Sequence, residues 1–254
     1  MIAPDDRGFT LGDGLFETLL AQDGDLEAWT AHIDRLGAGC RALGLPAPDP
    51  ELVRRESVRA LQAAGLEDAR AAVRITWTAG PGGRGLDRPA SPTPRLVVTA
   101  APVVAPAGPA RLITSTVRRP EMSLTARHKT LSSLDAVMAR REAIAAGADE
   151  AVMLNSQGNL ACAAAANLFW LEDGILCTPS LDCGVLAGTV RARIMAQDGL
   201  AVREVVATAE ALRGARAIFL TNSLIGVRDV VELDGRVLPQ QVGQSILATL
   251  RGRM

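Results

Sequence analysis

Apolar and polar residues follow each other along the chain in two periods, one typical of strands and one typical of helices. Short apolar runs bounded by glycine, aspartate or proline predict strands near residues 15–21, 26–29, 71–78, 95–100, 111–117, 150–154, 158–162, 167–171, 217–220 and 230–233. Apolar residues three and four positions apart predict helices near residues 31–43, 51–64, 132–146, 189–197 and 240–250. The mixture is that of an α/β protein of the α+β type.

The helix near residues 132–146 carries a row of larger apolar side chains. Leu134, Val137, Met138 and Ala145 fall on one side of it at helical spacing. We therefore expect this side to be buried.

Proline marks a boundary in the middle of the chain. Residues 101–109 contain three prolines, which is typical of an extended linker. The sequence thus predicts a small N-terminal α/β domain at 1–103, a linker at 104–109 and a larger C-terminal α/β domain at 110–254, which contains Lys129.

Composition favours small molecules over macromolecular partners. Apolar residues make up 48% of the 254 residues, charged residues 22%, and the net charge is −1. There is no basic field for nucleic acid or a membrane surface, and no apolar run as long as a membrane span. Four scattered cysteines favour a reduced, cytoplasmic setting, and only two histidines argue against a histidine-rich metal site.

Lys129 is the only lysine, although lysine and arginine together number 27. An ammonium can lose its proton and become a nucleophile, whereas a guanidinium stays protonated. Schiff-base chemistry requires such an amine. The alternative is that a bias in coding composition removed the other lysines and left this one by chance.

A glycine-rich stretch at residues 80–85 fits the G-x-G-x-x-G pattern of dinucleotide sites. The pattern also requires a helix directly afterwards, and Pro89, Pro92 and Pro94 prevent one. We therefore reject a dinucleotide site here.

Two other segments suit an anion. Gly188 precedes a predicted helix that begins near Thr189 and Val190, and a helix start presents unpaired N–H groups and a positive dipole. The hydroxyl groups of Thr221 and Ser223 follow a predicted strand. An ordinary capped helix start is the alternative interpretation, just as a solvated helix face is the alternative for His32 and Arg35.

Several of these residues stand in the order of a known family. The chain resembles the fold-type IV pyridoxal-phosphate enzymes, or class IV aminotransferases, which share a D-amino-acid aminotransferase-like fold. The resemblance rests on residues 6–8, 12–18, 32–36, 129, 149–151, 167–169 and 188–191. It implies two domains with pyridoxal 5'-phosphate held between them, in a homodimer.

The resemblance also implies roles for particular residues. Lys129 would bind the cofactor covalently and move protons during catalysis. Its phosphate would be bound by Arg35, by the N–H groups of Thr189 and Val190, and by the hydroxyl of Ser223. Cys162 stands where the family has a glutamate that pairs with the pyridine nitrogen. A neutral thiol cannot keep that nitrogen protonated, so we expect weak aminotransferase activity.

Within the family, residues 82–85 and 221–224 resemble the 4-amino-4-deoxychorismate lyase branch, which implies release of pyruvate to leave 4-aminobenzoate. The branched-chain aminotransferases have a tyrosine at the position of Leu134, and this chain contains no tyrosine. Two alternatives stay open. One is an aminotransferase acting on D- or branched-chain amino acids or amines, and the other is a catalytically weak homologue that binds the cofactor.

Overall fold

The computed structural model describes residues 2–82 and 85–239. The chain divides into two compact units, which we describe separately. The first unit comprises Met1–Val104 and His128–Ser132, and the second comprises Ala105–Arg127 and Ser133–Met254. The helix expected near residues 240–250 lies outside the described residues.

The first unit is an antiparallel sheet with helices on one face. Its elements are α1 (Arg7–Leu11), β1 (Gly14–Gln22), β2 (Asp25–Leu26), α2 (Trp29–Leu43), α3 (Pro50–Ala64), β3 (Ala71–Thr78) and β4 (Arg95–Pro102). The strand order is β2-β1-β3-β4. Apart from α1, which follows the N-cap Asp6, these elements lie where the apolar pattern predicts them.

Alternation over residues 15–19 of β1 separates the two faces of this sheet. Leu15 and Leu19 are buried in the core that α2 and α3 complete, and Glu17 points to the same face. Phe16 and Thr18 point to the other face and are half-buried. The two faces therefore differ in chemistry, one closed and largely apolar, the other more open.

A segment far along the chain completes the first unit. Phe16 N–H donates to the carbonyl of Lys129 at 2.9 Å, and Leu131 N–H donates to that of Gly14 at 3.0 Å. Thr130 forms an antiparallel bridge with Leu15. Residues 128–132, which the sequence placed in the C-terminal domain, thus pack with the first unit, because they pair with the start of β1.

The second unit is a larger mixed sheet. Its strands are β5 (Ala110–Arg119), β6 (Glu150–Asn155), β7 (Leu160–Ala163), β8 (Asn167–Glu172), β9 (Ile175–Pro179), β10 (Val202–Val205), β11 (Ala217–Asn222), β12 (Gly226–Leu233) and β13 (Arg236–Val237). Its helices are α4 (Leu124–Arg127), α5 (Leu134–Ala145), α6 (Thr189–Met195) and α7 (Ala209–Gly214). The strand order is β10-β9-β8-β11-β12-β5-β6-β7, with β13 on β12.

Both faces of the central strands are buried. In β8, Leu168 and Trp170 pack into one core, with Leu212 of α7, whereas Phe169 and Leu171 pack into another. The second core is closed by α6. Such strands read as continuous apolar runs, which is why the sequence located β8 and β11 without showing which residues share a face.

Helix α5 packs the other way round from our expectation. Ala139 and Ala143 are fully buried against β5 and β6, while Leu134, Val137 and Met138 are exposed by 71%, 50% and 39%. The prediction that the larger apolar side chains face the core is therefore wrong. Small alanines let the helix approach the sheet closely, and the helix is apolar on both sides.

Three Asp-Gly pairs form tight turns between antiparallel strands, at residues 23–24, 173–174 and 234–235. Each pair has positive φ at both residues, as a two-residue hairpin turn requires. Over the part of the chain that the structure describes, no helix is both long and apolar enough to cross a membrane.

Candidate active site

Lys129 lies over an aromatic ring on the more open face of the first unit. Its Nζ is 4.2 Å from the centroid of the Phe16 ring. The guanidinium of Arg74, from the neighbouring strand β3, lies 3.9 Å from the same centroid. Ring and cations are therefore held as one group, since an aromatic face attracts positive charge.

The Arg74 side chain is exposed at its position in β3, although the protein around its guanidinium desolvates that group and lowers its pKa. Among the described residues it has no hydrogen-bond or ion-pair partner besides the ring contact. An exposed guanidinium whose forked donors have no protein partner among the described residues can bind a carboxylate bidentately. Neither Arg74 nor Phe16 was among the predicted site residues. Their signal was a charged residue inside an apolar strand, at a position that alternates away from the core.

Arg35 lies on the helix-covered face of the same sheet. Its Nε donates to Glu17 Oε1 at 2.8 Å, and its Nη2 donates to Glu17 Oε2 at 2.5 Å. His32 Nδ1 contacts the same Oε2 at 2.7 Å. His32 and Arg35, three residues apart on α2, thus converge on one carboxylate, so the solvated-face alternative is wrong for both.

Glu17 is buried to 99% yet ionised. Burial alone would raise the pKa of its carboxyl, but the hydrogen bonds and charges of Arg35 and His32 outweigh burial and lower the pKa. Glu17, too, was not among the predicted site residues. A carboxylate at a core-facing strand position, between Leu15 and Leu19, was the available signal.

The start of α6 is built around Asn167 and Gly188. Asn167 Nδ2 donates to the carbonyl of Leu186 at 2.9 Å, which holds the loop before the helix. A Cβ on Gly188 would lie 1.9 Å from Asn167 Oδ1, so only glycine fits. By helix geometry the N–H groups of Thr189 and Val190 have no acceptor within α6, which leaves them directed away from it.

Thr221 brings an unsatisfied hydroxyl to this place. In the sheet it lies directly opposite Asn167, and direct cross-strand partners share a face. Thr221 is fully buried, and its Oγ1 has no hydrogen-bond partner among the described residues. Asn222 accepts from two N–H groups of the turn that contains Ser223. The structure therefore brings Thr221, Asn167 and the start of α6 together, with Ser223 two residues beyond.

Cys162 lies in β7, opposite Met153 of β6, and is 5% exposed. Burial raises the pKa of its thiol, and nearby Glu150 adds to this, while the guanidinium of Arg119 opposes it. This direction is the one expected for a neutral thiol. Glu150 is itself buried, and burial raises the pKa of its carboxyl against the N–H of Ala151 and the charge of Arg140.

The glycine-rich loop after β3 has a structural role. Arg7 donates to the carbonyls of Leu86 and Asp87 at 2.7 and 2.9 Å, and a Cβ on Gly82 would overlap the Arg7 side chain. No helix occurs in the described part of the β3–β4 connection.

Comparisons with known proteins agree with the geometry. The family model for amino-transferase class IV matches residues 14–233. An aminodeoxychorismate lyase from Vibrio harveyi is 32% identical over 235 residues, covering 89% of this chain and 84% of that protein. The structure of 4-amino-4-deoxychorismate lyase from Pseudomonas aeruginosa is 31% identical, with a TM-score of 0.87, and covers 99% of this chain and 95% of that one.

A branched-chain aminotransferase from Thermoproteus uzoniensis, solved with norvaline, is 25% identical, with a TM-score of 0.89 and coverage of 99% and 88%. The expected fold is therefore confirmed. The donors present also fit pyridoxal phosphate, since Lys129 supplies an amine and the unsatisfied Thr221 hydroxyl beside the start of α6 suits a phosphate. The chain is an enzyme of the class IV aminotransferase family, and its cofactor is pyridoxal phosphate.

Proposed function

We propose that the enzyme is a lyase that acts on 4-amino-4-deoxychorismate and releases pyruvate, leaving 4-aminobenzoate for folate biosynthesis. The two lyases that resemble it at 31–32% identity support this reaction. Its substrate carries two carboxylates, and the guanidinium of Arg74, which has no ion-pair partner among the described residues, suits one of them.

Cys162 is the observation that favours a lyase over an aminotransferase. A buried neutral thiol cannot keep a pyridine nitrogen protonated as an ionised glutamate would. Aminotransfer depends strongly on that protonation because it strengthens the cofactor as an electron sink. Release of pyruvate ends in an aromatic ring, and this driving force makes the lyase reaction less dependent on it.

When bound, the cofactor supplies a sink for the electrons left on the substrate carbon that bears the amine. Lys129 would hold the cofactor through its Nζ amine. The same amine, once released, would accept the proton from the substrate carbon that bears the amino group. The bond from the ring to the enolpyruvyl oxygen then breaks, and the departing group gains a proton to become pyruvate. Phe16 holds the Lys129 side chain in place during these transfers.

The phosphate of the cofactor would be held by Arg35, by Ser223 and by the N–H groups of Thr189 and Val190. Cys162 would stand at the pyridine nitrogen. The unsatisfied hydroxyl of Thr221 beside Asn167 supports an anion at the start of α6. The rigid engagement of Arg35 by Glu17 supports a guanidinium kept in one orientation.

The active form is a homodimer in the cytoplasm. Helix α5 supports a second copy as partner, since Leu134, Val137 and Ile144 are exposed by 71%, 50% and 65% on the side opposite its buried alanines. A group of exposed apolar side chains on one side of a helix is typical of a protein interface. The four cysteines, all free thiols, support a reducing compartment.

The reaction is tested by incubating the holoenzyme with 4-amino-4-deoxychorismate and measuring pyruvate and 4-aminobenzoate together. Equal amounts of both products are expected. Amino transfer from an amino acid to a 2-oxo acid, without pyruvate from the chorismate derivative, would favour the aminotransferase that the Thermoproteus uzoniensis structure supports. Neither activity in cofactor-saturated protein would favour a catalytically weak homologue.

Arg74→Gln tests the substrate carboxylate. A charge-assisted hydrogen bond contributes about 1.5–3 kcal/mol, so kcat/KM should fall about 10- to 150-fold. Arg95→Gln, which changes an exposed arginine of the neighbouring strand β4, is the matched control and should leave kcat/KM within about twofold of wild type. Equal effects of the two changes would remove Arg74 from the site.

A further inference from the structure

The buried carboxylate of Glu17 engages one whole edge of the Arg35 guanidinium. Nε and Nη2 form that edge, and they donate to the two carboxylate oxygens at 2.8 and 2.5 Å. Glu17 and His32 are each 1% exposed, and the Arg35 side chain is 16% exposed. The arrangement is therefore fixed by the core of the first unit.

Stability alone does not explain this arrangement. A buried ion pair contributes little net stability, because removing two charges from water offsets most of their attraction. The neighbouring core-facing positions of β1 carry Leu15 and Leu19, which shows that leucine suits this face. A charged residue between them indicates a requirement other than packing.

The requirement is a fixed orientation of the Arg35 guanidinium, and the planar shape of that group makes it possible. Because a guanidinium is rigid and flat, fixing its Nε–Nη2 edge also fixes the orientation of the whole group, including Nη1. His32 Nδ1 contacts Oε2 at 2.7 Å and so braces the carboxylate from a second direction. Arg35 needs no further ordering when it meets an anion, and ordering a long side chain otherwise weakens binding.

We propose that Glu17, braced by His32, is a positioning residue that presets the guanidinium of Arg35 for the phosphate group of the cofactor. The inference rests on the proposed role of Arg35 in phosphate binding. Glu17 itself touches neither cofactor nor substrate in this assignment. Its effect should be specific to the phosphate and should disappear when Arg35 is absent.

The test compares pyridoxal phosphate with pyridoxal, which lacks the phosphate, by fluorescence titration of the full-length protein. Ordering one side chain corresponds to about 0.5–1.5 kcal/mol, so Glu17→Gln should raise the Kd for pyridoxal phosphate about 2- to 12-fold. The Kd for pyridoxal should stay unchanged. Arg35→Ala should raise the Kd for pyridoxal phosphate about 10- to 150-fold.

The double variant Glu17→Gln/Arg35→Ala tests whether Glu17 acts through Arg35. If Glu17 acts through Arg35, adding Glu17→Gln to Arg35→Ala should change the Kd by less than about twofold, since coupled changes do not add. His32→Asn is a milder probe should Glu17→Gln fail to fold, and it should give a smaller effect with the same dependence on Arg35. Glu51→Gln, an exposed glutamate of α3, is the control.

The possible failures can be told apart. An effect of Arg35→Ala without one of Glu17→Gln or His32→Asn would overturn the positioning role and leave the phosphate role intact. Equal losses for pyridoxal and pyridoxal phosphate, or additive effects in the double variant, would make Glu17 merely structural. No effect of Arg35→Ala would overturn both the proposed phosphate contact and the inference drawn from it.

Discussion

Gly188 is the position where one added methyl group should do most harm. An ideal Cβ there would lie 1.9 Å from Asn167 Oδ1, whereas ordinary contacts begin at 3.4 Å. Asn167 cannot easily withdraw, because its amide holds the carbonyl of Leu186. In Gly188→Ala either that hydrogen bond breaks or the loop before α6 moves.

The size of the effect follows from these two terms. Overpacking costs about 1–3 kcal/mol, and a lost hydrogen bond costs about 0.5–1.5 kcal/mol. We expect the free energy of unfolding of the Gly188→Ala variant to fall by about 2–4 kcal/mol. The Kd for pyridoxal phosphate should also rise, because the displaced loop carries the N–H groups of Thr189 and Val190.

Urea unfolding of the apoprotein measures the first effect. Gly214→Ala is the matched control, since a Cβ there meets nothing within 4 Å, and it should change stability by less than about 1 kcal/mol. Removing the Asn167 side chain as well should recover at least about 0.5 kcal/mol relative to the sum of the single changes. A Gly188→Ala variant as stable as Gly214→Ala would refute the reasoning.

Three further outcomes are expected. Borohydride reduction of the holoenzyme followed by peptide mapping should place the cofactor on Lys129, and an unmodified Lys129 in saturated protein would contradict its role. Cys162→Glu should raise the rate of amino transfer or proton exchange while Cys162→Ser does not, and a normally loaded Cys162→Glu variant with no gain would mean that Cys162 does not face the ring nitrogen. Val137→Glu should shift sedimentation from dimer to monomer, whereas Val206→Glu, at another exposed apolar position, should not. Identical behaviour of these two variants would exclude α5 from the interface.

Local patterns predicted most of the fold. The Asp-Gly turns and the strands beside them follow from short-range chemistry, namely positive φ at two residues between apolar runs. Helix α5 was oriented wrongly because both of its sides are apolar. Periodicity shows that a stripe exists, but the choice between Ala139 and Leu134 as the core side depends on how closely the sheet approaches.

Some residues of the candidate site could likewise be predicted from local sequence, and others could not. Lys129 stands out by composition, and the family motifs locate Arg35, Thr189 and Ser223. Glu17 was missed because its role depends on contacts with His32 and Arg35 of α2, and these contacts form only on folding. Arg74 was missed for a similar reason, since its closeness to Lys129 depends on the pairing of residues 129–131 with β1.

That pairing has a consequence for synthesis on the ribosome. The first unit is discontinuous, so its sheet lacks one strand partner until Ser132 has left the exit tunnel. The backbone groups of Gly14 and Phe16 that pair with residues 129–131 therefore stay unpaired while Ala105–Arg127 are translated. Those residues belong to the other unit. A fragment that ended at Val104 would likewise lack this edge. The N-terminal unit is therefore finished by the very segment that carries Lys129.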